Sequence, residues 1–333
     1  MGQTKRELVQ AALEQKRVDR VPVGFWFHFL AAPEKQDALA APEEAAANIA
    51  GHRRFYEAFQ PDFVKIMSDG YFGYLHPGLA KVKTAADFGR LEPLGANHPW
   101  VTAQVRLVKE LQKIFGTEVL SFYNIFAPAR VLEWSLPSYT KTLLGDFIQQ
   151  DKEAVKHGLD AIAQDSAALV QRLIQEGGVT GIYFSVQNIA DARINRKLYD
   201  EVFSLGEKFI LQTANQASRY NILHICGYEG HHNQLHWYED YEAAAYNWAV
   251  TVEQLPLEEG RKIFHGRTVL GGFANTVDGI LYRGDKAAIK AETRRLIAQA
   301  GKQGVILGAD CTVPGNLPLT HLEWVREAAA EQA

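Results

Sequence analysis

The chain has 333 residues, of which 47% are hydrophobic and 22% are charged, a composition typical of a globular protein. Its formal net charge is −4 and it has no basic block interleaved with aromatic residues, which argues against a nucleic-acid partner. No run approaches the roughly 18 apolar residues that a membrane-spanning helix needs, so the sequence also predicts no membrane attachment.

The N-terminal stretch MGQTKRELVQAALEQKRVDR is polar and charged, which is not the pattern of a secretory signal. We expect it to form a short helix ahead of the main fold. The chain contains only two cysteines, Cys226 and Cys311, too few for the disulfide framework of a secreted protein. The sequence therefore predicts a cytoplasmic protein.

Short segments with the composition of buried β-strands alternate with amphipathic helical segments along the whole chain. The strand candidates are residues 21–27, 63–67, 118–125, 179–185, 221–226, 243–249, 268–273 and 304–309. The sixth of them, AAAYNWA, could also be helical. Helical spacing is clearest in residues 151–178 and 287–303, and the first of these ends in Gly-Gly, a helix stop signal.

Eight strands that alternate with helices are the pattern of a closed (β/α)₈ TIM barrel. An open, doubly wound sheet is the alternative, but it should carry a glycine-rich dinucleotide turn after an early strand, and this sequence has none. No internal repeat, low-complexity segment or Pro/Gly/Ser linker divides the chain. The sequence therefore predicts one barrel domain over residues 1–333, with a short N-terminal helical extension.

A histidine and both cysteines fall at predicted strand ends. His224 and Cys226 end the fifth candidate, in ILHICG, and Cys311 follows the eighth, in ILGADCTVP. The active site of such a barrel lies at the carboxyl ends of its strands, and strand residues two apart point to the same side. Imidazole and thiolate are ligands that zinc favours, and three protein ligands leave the open position of a catalytic site. Unrelated core residues are the alternative, because free cysteine buries readily.

These residues also carry a resemblance to a known family. HICG, followed far downstream by GADCTVPGNLP, resembles the His-x-Cys and downstream Cys of zinc-dependent corrinoid methyltransferases, which belong to the uroporphyrinogen decarboxylase superfamily. RVDRVPVGFWF, IMSDGYFG, NIFAPARVLEW and VLGGFANT resemble other segments of the same superfamily, so the resemblance covers most of the chain. It implies a (β/α) barrel.

The methyltransferase branch implies one catalytic Zn²⁺ held by His224, Cys226 and Cys311, which would bind and activate an acceptor thiol. The methyl group would come from methylcobalamin or another corrinoid, carried by a corrinoid-binding partner protein. The fourth zinc ligand could be the substrate, water, Asp310 or Glu229. Even without the metal, we expect the three side chains to converge, with their nitrogen and sulfur atoms within about 4–5 Å of one another.

The decarboxylase branch works without metal on a tetrapyrrole that bears many carboxylates, and it implies a central aspartate at the position of Asp69. Asp69 could instead be only a helix N-cap. The arginine-rich N-terminal signature of that branch is replaced here by GFWFHFLAAP, and Trp134 stands in place of its third-strand tyrosine. Because few arginines would face the substrate carboxylates, uroporphyrinogen decarboxylation is not expected.

Other side chains near the predicted strand ends are candidates for substrate binding. The aromatic ones could line a flat apolar pocket for a corrinoid or an aromatic substrate, or could be buried packing: Tyr71, Tyr74, Trp134 and Trp248. Arg130 could pair with a substrate acid or with Asp69. His231 is expected, with His232 and His236, in a polar loop of the site, where it could also supply a metal ligand or a proton relay.

Three functions compete on this sequence. The leading hypothesis is a zinc-dependent methyltransferase that moves a methyl group between a corrinoid and a thiol or related acceptor, with Asp69 and the three candidate zinc ligands as catalytic residues. The second is a cofactor-free lyase that acts on a tetrapyrrole or another carboxylate. The third is a non-enzymatic protein that holds a corrinoid or small molecule in the barrel mouth. Bound zinc would favour the first.

Overall fold

The computed structural model describes residues 2–138 and 140–332, and its centre is a parallel β-sheet. The seven strands follow one another in the sheet in chain order, and each pairs in parallel with the next. They are β1 (Phe63–Ile66), β2 (Leu120–Phe126), β3 (Gly181–Val186), β4 (Ile222–Ile225), β5 (Ala245–Trp248), β6 (Thr268–Phe273) and β7 (Val305–Ala309). This is an α/β, TIM-barrel-like fold, as the alternation of strand and helix patterns predicted.

Helices precede the sheet and connect its strands, as parallel pairing requires. The α-helices are α1 (Lys5–Leu13), α2 (Pro42–Phe59), α3 (Pro99–Phe115), α4 (Pro128–Ser135), α5 (Leu143–Arg172), α6 (Arg196–Tyr199), α7 (Leu205–Ala217), α8 (Val250–Glu253), α9 (Leu257–Ile263), α10 (Ile280–Arg283), α11 (Lys286–Ala300) and α12 (Leu319–Glu331). Short 3-10 turns occupy Pro33–Lys35, Leu79–Lys81, Ala85–Arg90, Tyr228–Gly230 and Leu235–Tyr238, and π-helical turns occupy Leu173–Gly177 and Asp200–Ser204. Within the described part of the chain, no helix is both long and apolar enough to cross a membrane.

The first strand candidate, residues 21–27, does not form a regular strand, so the prediction of eight strands is confirmed for seven. Only Val23 makes a parallel bridge, to Leu307 of β7. The Gly24 N–H donates to the Leu307 carbonyl at 3.0 Å, and the Leu307 N–H donates to the Pro22 carbonyl at 2.8 Å. Pro22 has no N–H to offer to a ladder, which limits the pairing that this segment can make.

The same N-terminal segment is also attached to the other edge of the sheet, just before β1. The Asp62 N–H donates to the Val23 carbonyl at 3.1 Å, and the Val23 N–H donates to the Asp62 carboxylate at 2.7 Å. Both Arg20 guanidinium N–H groups donate to the two oxygens of the buried Asp62 at 2.6 Å. The bidentate geometry makes this a strong, specific ion pair. The segment therefore lies between β7 and β1.

The amino end of the sheet is covered by α1, the helix that the N-terminal sequence predicted. The buried face of α1 packs in one cluster with side chains from the inside of the sheet: Trp26, Phe63, Leu120, Phe122, Tyr183, Ile222, Ala245, Leu270 and Ile306. The hydroxyl of Thr268, the first residue of β6, donates to the Ala12 carbonyl at 2.8 Å. With this end closed, a site has to lie at the carboxyl end of the strands.

Candidate metal centre

The fourth strand and the residue after it place the first two candidate ligands. Along β4, Ile222 faces the inside of the sheet and Leu223 faces the helices, so His224 faces inside and is 1% exposed. Cys226 follows the strand by one residue, and its N–H donates to the Val186 carbonyl at 2.9 Å. This hydrogen bond extends the pairing with β3 and keeps the Cys226 side chain on the same face as His224.

The third candidate ligand comes from the loop after β7. The Asp310 N–H donates to the Phe273 carbonyl at 2.8 Å, which continues the pairing with β6 before the chain turns. Cys311 follows, and the Val313 N–H donates to the Trp26 carbonyl at 3.1 Å, which attaches this loop to the N-terminal segment. Cys311 is 8% exposed, so its thiol is close to the surface of the site yet mostly shielded from water.

The three side chains converge, as the sequence predicted, and their role as metal ligands stays a prediction. The sulfur atoms of Cys226 and Cys311 are 3.8 Å apart, and the Cys311 sulfur lies 3.6 Å from Nε2 of His224. One ligand atom from each of the three residues lies within 4.8 Å of the others. Both cysteines are free thiols.

The two pair distances at Cys311 fit a tetrahedral zinc ion. With Zn–S bonds of about 2.3 Å and Zn–N bonds of about 2.0–2.1 Å, tetrahedral geometry separates two sulfurs by about 3.8 Å and a sulfur from a nitrogen by about 3.6 Å. The Cys226–Cys311 and Cys311–His224 separations match these values. Two thiols and an imidazole are also the soft and borderline donors that zinc selects. Cys311 is thus placed to share a zinc ion with Cys226 and with His224, and three protein ligands would leave a fourth position open.

Asn247 of β5 determines which nitrogen of His224 faces the thiols. The Asn247 amide nitrogen donates to the carbonyls of Leu270 at 2.9 Å and Ala309 at 3.2 Å, so its oxygen must point the other way. That oxygen accepts from the Tyr183 hydroxyl at 2.9 Å and contacts Nδ1 of His224. Nδ1 therefore carries the proton, and Nε2 presents its lone pair to the thiols, as a metal ligand must.

The pKa values of the two thiols are shifted in opposite directions. The hydrogen bond with Cys226, together with the nearby His224, lowers the pKa of Cys311 well below the ordinary thiol value. The same hydrogen bond, together with burial, raises the pKa of Cys226 well above that value. A divalent cation at this point would keep both sulfurs ionised.

Asp310 and Glu229 were considered as the fourth ligand. Neither belongs to the group formed by His224, Cys226 and Cys311. Asp310 is buried, and one of its oxygens accepts from the Thr251 N–H at 2.9 Å and from the Thr251 hydroxyl. Its other oxygen, Oδ1, has no hydrogen-bond partner among the described residues. Burial raises the pKa of Asp310 to about 6. Glu229 is exposed on the loop after β4.

Asp69 lies three residues beyond β1 with both carboxylate oxygens occupied by the N-terminal segment. Oδ2 accepts from the Phe29 N–H at 2.6 Å and the Leu30 N–H at 3.2 Å, and Oδ1 lies 2.8 Å from Nδ1 of His28. Asp69 thus caps backbone N–H groups of a distant segment rather than a helix of its own. It is fully buried, whereas the His28 side chain is 33% exposed. His28, which the sequence reasoning missed, is the member of this pair that a ligand can reach.

Arg130 and Trp134 lie together on α4. Arg130 pairs with Glu133 at 2.7 Å and contacts Gln187, so the suggestion that it pairs with Asp69 is wrong. Its guanidinium lies 5.7 Å from the centre of the Trp134 ring.

Three aromatic side chains, Phe72, Phe126 and Trp134, form an aromatic wall beside His28. Trp134 stacks on Phe72 at 4.9 Å and meets Phe126 edge-on at 4.7 Å. His28 lies edge-on to Phe72 at 5.9 Å. Trp134 and Phe126 are partly exposed, so a planar ligand can reach this wall.

The remaining aromatic candidates are packed in the core between the sheet and the helices. Tyr71 is 7% exposed and belongs to that core. The Tyr74 hydroxyl donates to Asp165 at 2.5 Å, and the buried indole of Trp248 donates to the Leu255 carbonyl at 2.9 Å. Their surroundings match the buried-packing alternative. His231 is half-buried, and its Nε2 has no hydrogen-bond partner within the described ranges; burial lowers its pKa.

A family model described as "Uroporphyrinogen decarboxylase (URO-D)" matches residues 73–332 of the chain. The chain belongs to the uroporphyrinogen decarboxylase family. This family membership was anticipated by the resemblance in the sequence, which extends to the N-terminal segment as well. No match was found among curated protein sequences.

Solved structures similar to this family member include methyl-transferring enzymes. A methyltransferase from Methanosarcina mazei superposes with a TM-score of 0.71 at 14% identity, over 99% of both chains. A B12-independent methionine synthase from Shewanella sp. W3-18-1, solved with selenomethionine, has a TM-score of 0.59 at 13% identity, over 94% of this chain and 97% of that one. At such low identity the likeness establishes the fold, which these enzymes share with the present chain.

Proposed function

We propose that this protein is a zinc-dependent methyltransferase that moves a methyl group between a corrinoid, such as methylcobalamin, and a thiol or related small-molecule acceptor. The observation that carries the proposal is the group of His224, Cys226 and Cys311, in which the Cys226–Cys311 and Cys311–His224 separations fit tetrahedral zinc. The methyltransferases among the similar structures support the same kind of chemistry.

When bound, zinc keeps an acceptor sulfur in the thiolate form, which is the nucleophilic one at neutral pH. The protein's part is to hold its ligands in place. His224 offers the lone pair of Nε2 because Asn247 engages Nδ1, and the loop after β7 brings the Cys311 sulfur to that of Cys226. The fourth position is left for the acceptor.

The acceptor thiol loses a proton in this reaction, and His28 is the proposed base. Its Nδ1–H is held by the buried Asp69, so Nε2 is the ring nitrogen that can take the proton. The acceptor sulfur would then attack the methyl carbon of the corrinoid co-substrate. One S–C bond would form as the Co–C bond breaks, and the electron pair of that bond would stay on the corrinoid.

The corrinoid would be presented by a partner protein at the rim of the site. The segments that follow several strands carry exposed apolar side chains there: Leu75 after β1, Tyr228 after β4, and Val277 and Ile280 after β6. Such side chains, together with the aromatic wall, favour contact with a flat apolar ligand and its carrier.

Elemental analysis of purified wild type beside Cys226→Ser and Cys311→Ser tests the proposal. We expect about one zinc per chain in the wild type and little in either variant, because loss of one thiolate removes a strong ligand. Methyl transfer from methylcobalamin to small thiols should fall with the zinc. Thr312→Ser, beside Cys311, is the matched control and should keep both zinc and activity. Equal zinc in all four proteins would overturn the proposal, and a metal-free protein that decarboxylates a substrate would support the lyase instead.

A further inference from the structure

Lys65 is a buried cation inside the sheet, close to the proposed metal centre. It is the third residue of β1, shares the inner face of that strand with Phe63, and is 5% exposed. Its ammonium lies 4.2 Å from the centre of the Tyr183 ring and 4.9 Å from that of Trp26. The Tyr183 ring in turn lies 5.7 Å from the ring of His224. Lys65 therefore sits in the layer of side chains directly next to the candidate ligands.

No carboxylate pairs with this ammonium in the part of the chain that the structure describes. The negative groups that interact with it are, in decreasing order, Cys311, Cys226 and Asp69. Asp69 already accepts hydrogen bonds from His28 and two backbone N–H groups. A buried ammonium is costly unless an anion compensates it, and the sulfur atoms are the anions left to do so. Burial lowers the pKa of Lys65 to about 8, so the amine is still protonated at neutral pH.

The net charge of the metal centre determines how strongly the charge of Lys65 affects the binding of a fourth ligand. Zn²⁺ with the thiolates of Cys226 and Cys311 sums to no net charge, and a neutral fourth ligand leaves that sum unchanged. An acceptor bound as a thiolate adds one negative charge. Resting on the proposed function, we infer that Lys65 is the counter-ion of the acceptor, so that the centre selects a fourth ligand that binds as an anion, a thiolate, over neutral donors such as an imidazole or a thioether.

The test compares Lys65→Met, which keeps an unbranched apolar stem between the rings but loses the charge, with Lys65→Arg, which keeps the charge. Each protein is loaded with Co²⁺ in place of zinc and titrated with 2-mercaptoethanol or with imidazole. Sulfur-to-cobalt charge-transfer absorption reports thiolate binding, and the cobalt d–d bands report imidazole binding. No catalytic turnover is needed.

We expect Lys65→Met to bind 2-mercaptoethanol about ten- to a hundredfold more weakly than wild type, the effect of one unit charge several Å away at an effective dielectric constant of about 20. Imidazole binding should change by no more than about threefold, because a neutral ligand does not alter the net charge of the centre. Lys65→Arg should bind the thiol as wild type does. Lys65→Gln, a second neutral variant, should behave like Lys65→Met and covers the case in which that protein fails to fold.

Equal thiol affinity in wild type and a folded neutral variant would overturn the role of Lys65. A parallel loss of thiol and imidazole binding would also overturn it, because that pattern indicates a distorted centre. In both cases the wild type still binds metal and thiol, so the proposed function stands. If the wild type takes up no Co²⁺, or binds it without the thiol, the proposed function fails and the role of Lys65 with it.

Discussion

Asn247 holds His224 in a single tautomer, because each polar atom of its amide has an assigned partner. The amide N–H groups are used by two backbone carbonyls, and the oxygen is left for the Tyr183 hydroxyl and Nδ1 of His224. All of these groups are buried. The sheet therefore sets the orientation of His224 without a metal, and replacement of Asn247 should weaken metal binding.

Asn247→Leu should weaken zinc binding by about ten- to a hundredfold, the usual cost of removing the group that orients a metal-bound histidine. Leucine has the same number and branching of side-chain heavy atoms but accepts no hydrogen bond from Nδ1. Competition with a chelating dye measures the affinity.

Tyr183→Phe is the matched control for this prediction. It removes the other donor to the Asn247 oxygen and leaves the contact with His224 in place, so zinc affinity should change by about fivefold at most, in line with the modest net value of one neutral hydrogen bond of about 1 kcal/mol. Equal losses in the two variants would contradict the assignment of Asn247 as the positioning residue.

The sequence predicted those parts of the fold that depend on local patterns. The strand at residues 268–273 was found with the predicted bounds, and the helix predicted to stop at Gly-Gly ends in a π-turn before Gly178, whose φ is +82°. Residues 21–27 have an equally good strand pattern. Their pairing, however, depends on Leu307 and on the residue before β1, both remote in sequence, and Pro22 limits it.

The difference between local sequence patterns and contacts with remote residues also explains which site residues could be predicted. His224, Cys226 and Cys311 could be recognised because they fall at strand ends, where barrel enzymes keep their chemistry. Asn247 and Lys65 lie within strands and look like ordinary sheet residues. Their roles come from neighbours contributed by other strands, which no local spacing reveals. One feature of the sequence could have identified His28 as a site residue: it follows the first strand candidate and so lies next to the predicted rim of the barrel.

His28→Gln should slow methyl transfer by about a hundredfold while zinc stays bound, because a positioned proton acceptor contributes about 10²–10⁴-fold. His28 makes no contact with the candidate ligands, so the metal content is an internal check. His236→Gln is the control, since His236 is 73% exposed and pairs with Glu239. Wild-type rates in His28→Gln, or loss of its zinc, would rule out the proposed base.

Purified protein should not convert uroporphyrinogen to coproporphyrinogen. Asp69, which the resemblance places at the position of the central aspartate in that reaction, has both oxygens occupied, and Arg130 is paired with Glu133. The substrate carboxylates would therefore lack charge-assisted partners on this wall. Chromatography of the oxidised porphyrin products checks the prediction, with an authentic uroporphyrinogen decarboxylase as the positive control. Turnover near that of the authentic enzyme would reverse the ranking of the two branches.

The last prediction concerns stability and a carboxyl group remote from the site. Glu207 of α7 is 1% exposed and accepts hydrogen bonds from the hydroxyls of Tyr199 at 2.8 Å and Tyr241 at 2.5 Å. Burial raises the pKa of Glu207 from 4.5 to about 7. Below pH 4.5 the folded and unfolded chains both hold this proton. Between pH 4.5 and 7 only the folded chain holds it, so the free energy of unfolding falls as the pH rises, and above pH 7 the loss is complete.

Glu207→Gln cannot ionise and so escapes this loss. Measured by urea denaturation, its free energy of unfolding relative to wild type should rise by roughly 2–3 kcal/mol between pH 4 and pH 8. Glu201→Gln is the control: Glu201 is partly exposed and its pKa is lowered by the hydrogen bond from Lys152, so it should show no such rise. If the difference between Glu207→Gln and wild type stays constant across this pH range, the pKa of Glu207 is the same in the folded and unfolded chains, and burial does not raise it.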